Sequence, residues 1–196
     1  GARVAAYGRR RMTPAQLAAV NAEHSHQRAL FAWANIAEQY GFDAAWDERT
    51  YTREGMTALQ ARAECVVQDW GATAAIPEPA PELRWLHAIP NGGYRDKITA
   101  GKLKAEGVKR GIPDVFLPLP IVGYAGLYVE LKRPQTTKAG TRKATIIDQA
   151  AGSTSDLQDE AIGHLRRVGY AVSVCFTWDA AAREIQTYIQ ASRKNA

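Results

Sequence analysis

The chain has 196 residues, 46% of them hydrophobic and 23% charged, which suits one well-packed domain. No apolar run nears the ~20 residues of a membrane span, and Cys65 and Cys175 fall in no C-x-x-C pattern, which argues against a zinc site or a disulfide framework. A formal charge of +5 and a pI of about 9.3 point weakly to a polyanionic partner.

The basic stretch "GARVAAYGRRRM" lacks the apolar core of a signal peptide, and with this cysteine usage a reducing cytoplasm is the expected location. Thr13-Pro14 reads as an N-cap with proline at the first helical position. Helical sequence then runs over 13–41, with Gly41 as the stop. The polar cluster "EHSHQ" at 23–27 either breaks this helix or turns one face to something polar. Residues 42–82 read as a helical insert or flap that ends in the Pro-Ala stretch "ATAAIPEPAPE".

"RWLHAI" (84–89) predicts a strand closed by the turn "PNGG". "ITAGKLKAEG" (98–107) predicts a short helix, and "DVFLPL" and "GLYVELK" two strands. Residues 133–156 read as a mobile polar loop. "SDLQDEAIGHLRRVG" predicts a helix capped by Ser155, with Leu157, Ala161, Ile162, Leu165 and Val168 at helical spacing. "AVSVCFT" is a buried-type strand. "DAAAREIQTYIQAS" is a closing helix capped by Asp179. The order predicts a single α/β domain over 1–196, a mixed central sheet flanked by helices, with its core at 83–192.

The chemistry gathers on "GIPDVFLPLP" and "GLYVELKRP". Strand side chains alternate faces, so Leu127, Val129 and Leu131 share one face and Tyr128, Glu130 and Lys132 the other. Gly111 and Pro113 fix the chain just before Asp114. An antiparallel hairpin brings Asp114 to the Glu130 end of its partner. Two carboxylates converging on one spot repel, and a hard divalent cation such as Mg²⁺ stabilises them together. With a lysine beside them they form a kit for metal-assisted phosphodiester hydrolysis. Taken blandly, Asp114 is a turn residue and Glu130 and Lys132 are an exposed pair.

Together, "LHAIPNGGYRDKITAGKLKAEGVKRG", "GIPDVFLPLP…GLYVELKRP" and "SDLQDEAIGHLRRVGYAVSVC" resemble the VRR-NUC nucleases, a branch of the PD-(D/E)xK superfamily, over about residues 84–189 and part of 20–40. The resemblance implies a restriction-endonuclease-like core, dependence on Mg²⁺ or Mn²⁺, and cleavage of DNA. Stand-alone members occur in phages and bacteria, and some act on branched DNA as homodimers, like Holliday-junction resolvases. It implies metal ligands at Asp114 and Glu130, a catalytic lysine at Lys132, and a helix-start glutamine near the site at Gln158. The superfamily also uses an acid from the first helix. Glu23 is the candidate, although His26 stands where related sequences carry a second acid.

Between Arg84 and Arg110 there are seven basic and two acidic side chains, and residues 131–143 add five basic ones without an acid. Such flanks suit a phosphate backbone. Lys102, Lys104, Lys109, Arg110 and Arg133 are candidate DNA contacts, and Asn91 and Arg95 match the family segment. His87 reads as a strand residue near the site, and the five tryptophans mostly as packing. The alternative is a non-catalytic nucleic-acid-binding protein on a decayed nuclease fold. No G-x-x-x-x-G-K-[ST] or G-x-G-x-x-G phosphate cradle occurs.

Overall fold

The computed structural model describes residues 12–19, 23–68, 78–90, 97–139, 145–149 and 151–194. Its elements are α1 (Pro14–Ala18), α2 (Glu23–Tyr40), α3 (Phe42–Trp46), α4 (Arg53–Gln68), β1 (His87–Ala88), α5 (Lys97–Ala105), β2 (Val115–Leu117), β3 (Leu127–Leu131), β4 (Thr136–Ala139), β5 (Thr145–Gln149), α6 (Asp156–Arg167), β6 (Ala171–Cys175) and α7 (Trp178–Lys194). The sheet runs β1-β2-β3-β6, antiparallel for its first two pairings and parallel between β3 and β6. The parallel step needs a crossover, which α6 provides. This is the expected α/β architecture, a mixed sheet flanked by helices and consistent with a restriction-endonuclease-like core. No helix among the described residues is long and apolar enough to cross a membrane.

Strand alternation decides what each face buries. Val115, Leu117, Leu127, Val129 and Leu131 join Leu30 and Trp33 of α2 and Ile185 and Ile189 of α7 in the main core. Tyr128 and Val174 point the other way and pack with Val172, Ile162 and Leu165 under α6. Both faces are therefore covered at β3 and β6, and polar side chains on β3 are forced inside. Trp33 is fully buried and stacks on Phe42. Trp46 bridges Trp33 and Trp178, whereas Trp85 is exposed.

Several expectations change. The helix expected over 13–41 is two helices: α1 ends at Ala18 and α2 starts at Glu23, so the interruption precedes the "EHSHQ" cluster. Thr13 and Gln16 do form the cap of α1, and Gly41, at φ +88°, ends α2 in the left-handed region that glycine tolerates. The segment expected as an insert or flap supplies Phe42, Ala45, Tyr51, Met56 and Ala80 to the main core. Arg193 of α7 grips it through Glu78 and Glu82 at 2.7 and 2.8 Å.

Residues 81–85 form a 3₁₀ turn with Pro81 in its first turn, which leaves only His87–Ala88 as strand. The loop expected at 133–156 contains the antiparallel pair β4–β5. Leu157 and Val168 are exposed rather than packed. Thr177, not Asp179, caps α7: its Oγ1 accepts the Ala180 N–H at 3.3 Å, and Asp179 lies inside the first turn. Asn91, Gly92 and Gly93 of the "PNGG" turn, residues 69–77 and Arg95 lie outside the described residues.

Candidate active site

β2 and β3 pair with Val115 opposite Val129, which sets Asp114 across from Glu130, the convergence expected of the hairpin. Asp114 Oδ2 accepts the Leu131 N–H at 3.0 Å, and the Asp114 carbonyl accepts the Ile89 N–H at 2.7 Å. The residue is thus fixed on both sides of its Cα by neighbouring strands. Gly111 holds the approach at φ +86°, and a Cβ there would lie 2.4 Å from the Leu157 carbonyl oxygen. The turn before Asp114 therefore sits directly on the first turn of α6, and only glycine fits.

Glu130 and Lys132 are not the exposed pair of the bland reading. They are 1% and 6% exposed, and Lys132 Nζ lies 2.7 Å from Glu130 Oε1. A buried charge is tolerated only when its hydrogen bonds are supplied. Gln158 supplies them. Its Oε1 accepts from Lys132 Nζ at 2.9 Å, and its Nε2 donates to Glu130 Oε1. The same Oε1 accepts the Ser155 N–H at 3.0 Å while Ser155 Oγ accepts the Gln158 N–H at 3.4 Å. This is the reciprocal capping box that starts α6.

Glu23, exposed at the first position of α2, reaches the same corner. Its Oε1 accepts the Arg133 N–H at 3.3 Å. Gly152, which sequence reasoning passed over inside a presumed loop, makes the room: its N–H donates to the Arg133 carbonyl at 2.8 Å, and a Cβ on it would stand 3.2 Å from Arg133 N and 3.5 Å from Glu23 Oε1. His26, the rival to Glu23, faces elsewhere. It is 4% exposed, and its Nδ1 accepts the Trp178 N–H at 3.1 Å. Burial lowers its pKa, against the opposing pull of Asp179.

The electrostatics are those of crowded carboxyls. Burial pushes Glu130 up to about 7; the Lys132 bond pulls it down, and Asp114 and then Glu23 push it up further. Burial also raises Asp114, against the Leu131 N–H and Lys132, with Glu23 adding to the rise. Glu130 Oε2 is buried and has no hydrogen-bond partner among the described residues. No group of three or more His, Cys, Asp or Glu side chains that could hold a metal forms among those residues. Mg²⁺, however, is commonly held by one or two carboxylates together with water and phosphate oxygens. A buried orphan carboxylate oxygen beside a second carboxylate fits that ion.

Lys102, Lys104, Lys109 and Arg110 are exposed and Arg133 is half-buried. Gly111 ties the Lys109–Arg110 end of this stretch to α6 near Gln158. His87 is exposed on β1, its ring edge-on to Phe116 at 5.6 Å. A groove of about 930 Å³ lies elsewhere, lined among others by Asp43, Asp47, Glu54, Glu78 and Arg49 and by none of the site residues above.

No family model matches the chain, and no curated protein matches it. Among solved structures it is similar to one described as a VRR_NUC domain protein, at 25% identity over 67% of this chain and 88% of that one, with a TM-score of 0.41.

Proposed function

We propose that this chain is a DNA endonuclease that hydrolyses phosphodiester bonds with Mg²⁺ or Mn²⁺, acting on branched, junction-like DNA or nicking duplex. The observation that carries the reading is the buried Glu130–Lys132–Gln158 triangle closed against Asp114. Asp114 and Glu130 would hold the ion, with Glu23 as the third carboxylate. The ion would supply Lewis-acid polarisation of the phosphodiester and a more acidic water.

The protein's own groups do the rest. Two of the three Lys132 ammonium donors are engaged by Glu130 and Gln158, and the third is the one a phosphoryl oxygen would take. That donor is held in a low-dielectric corner, where it stabilises developing negative charge better than it would in water. Gln158 keeps the ammonium from swinging away. The exposed basic side chains at 102–110 would hold the flanking phosphates.

Purified protein is incubated with labelled four-way junction, flap, single-stranded and plain duplex DNA, in Mg²⁺, Mn²⁺ or EDTA, beside Glu130→Ala. Metal-dependent cutting that the variant loses supports the reading, and the preferred substrate names the role. Full activity in Glu130→Ala would sink it. The second reading, a DNA-binding protein that no longer cuts, is favoured by the lack of a three-carboxylate cluster among the described residues. Salt-sensitive binding without cleavage would establish that reading instead.

A further inference from the structure

We propose that His26 is a positioning residue whose hydrogen bond to the start of α7 sets Glu23 against the Asp114–Glu130 corner. The inference rests on the reading of those three carboxylates as a metal site.

Three hydrogen bonds form a closed circuit. His26 Nδ1 accepts the Trp178 N–H at 3.1 Å, which ties the first turn of α2 to the first residue of α7. Just before α7, the Cys175 carbonyl at the end of β6 accepts the Lys132 N–H at 2.8 Å, which ties β6 to β3. The next N–H along, that of Arg133, donates to Glu23 Oε1 at 3.3 Å. Glu23 and His26 are one helical turn apart and lie on adjacent parts of one surface. The circuit therefore returns to its origin and fixes the Glu23 end of α2 relative to Glu130 and Lys132.

The chemistry of His26 supports a specific task. An N–H at a helix start has no partner within the helix, and the imidazole supplies one across 152 residues. With Nδ1 accepting, the neutral ring carries its proton on Nε2, and Nε2 is buried without a partner among the described residues. Leucine would fill the same space without an unsatisfied donor. A buried polar group retained at such a disadvantage is explained by the one bond it makes. Glu23 is exposed and is held at the site by the single bond to Arg133 among the described contacts, so its position depends on where the first turn of α2 is placed.

Mn²⁺ affinity is measured by calorimetry on the metal-free wild type, His26→Leu, Glu23→Gln, the double variant and His26→Asn. If His26 acts through Glu23, His26→Leu weakens Mn²⁺ binding about 10-fold, as loss of an outer partner does, and Glu23→Gln, which removes the carboxylate itself, weakens it at least as much. The double variant is then no weaker than Glu23→Gln alone. His26→Asn, whose Oδ1 can stand where Nδ1 stands, recovers most of the affinity. A purely structural role would make the two losses multiply and would give Asn no advantage; either result overturns the inference. Unchanged affinity in a folded His26→Leu overturns it as well. Should the leucine variant fail to fold, His26→Asn against His26→Gln carries the test: Asn keeps the affinity, and the longer Gln, with its acceptor misplaced, loses it. Equal affinity in that pair overturns the inference. Mn²⁺ binding that survives Glu130→Ala, or is absent from the wild type, would instead refute the metal-site reading beneath it.

Discussion

Replacing Glu130 by glutamine should make the metal-free protein more stable than the wild type at pH 8 and leave it level at pH 4.5. Glu130 is 1% exposed, and its carboxyl is raised from 4.5 to about 7, chiefly by burial. The native state therefore keeps the proton to about pH 7, whereas the unfolded chain releases it near 4.5. Between those values the native state binds more protons than the unfolded state, so stability falls as pH rises and levels off above 7. A displacement of that size corresponds to roughly 3 kcal/mol. Glutamine mimics the protonated acid and does not titrate. The variant-minus-wild-type stability should thus grow by roughly 3 kcal/mol from pH 4.5 to 8, or about 6–12 °C in Tm for a chain of this length. Every other ionisable group is common to both proteins, which is why the difference is read rather than either curve alone. Urea unfolding in EDTA across this range provides it. A difference that stays flat, or that favours the wild type at high pH, would refute the account of Glu130 as a carboxylate held against its charge. Adding Mn²⁺ at pH 8 should reverse the order, because an ion bound only by the native wild type stabilises it by mass action.

Lys132→Met should leave the protein folded and bound to DNA while cleavage falls about 10²–10³-fold, the usual loss for one positioned donor; single-turnover rates against filter-binding affinities separate the two. Gln158→Leu should remove about 1 kcal/mol of helix capping, roughly 1–3 kcal/mol more by stripping hydrogen bonds from the buried Glu130–Lys132 pair, and most of the cleavage, whereas Ser155→Ala should cost the capping alone, or about 2–4 °C in Tm, with a much smaller loss of activity. Equal activity losses in the two would show that Gln158 matters only as a cap. Gly111→Ala should destabilise by about 1–3 kcal/mol, since the new methyl meets the Leu157 carbonyl and the backbone sits at φ +86°; a melt within error of wild type refutes the contact. Lys109→Glu with Arg110→Glu should weaken binding to all DNA sequences alike and reduce the salt slope of log K by about 1–2. A change confined to one sequence would point to base contacts instead.

The alternation of β3 in the sequence was enough to put Glu130 and Lys132 on one side of the strand, and an antiparallel hairpin was enough to bring Asp114 to them. Ser155 marked the start of α6, while Gln158 was placed near the site only by the family resemblance, and its bond to the lysine was not foreseen. Burial was not legible. Whether the polar side of β3 faces water depends on α6 folding over it, a contact between distant parts of the chain. "TTKA" and "TIIDQ" carry the β-branched residues of strands, but their polar and glycine-containing surroundings outweighed them. The strand expected at 84–89 shrank because Pro81 starts a 3₁₀ turn. Nothing local in "EHSHQ" tells which acid or imidazole faces the site. That is decided by Trp178 and Arg133, far along the chain.

Glu23, Asp114, Glu130, Lys132 and Gln158 are scattered along the chain, and the bonds that hold the corner reach as far as Trp178. A growing chain therefore carries the acidic residues long before it carries their supports. Until β6 pairs with β3 and α7 begins, Lys132 lacks its anchor at Cys175 and the first turn of α2 lacks its hold. Contacts so distant in sequence form late. During synthesis or after local unfolding, these five side chains would stay apart, and the corner would be assembled only on the finished fold.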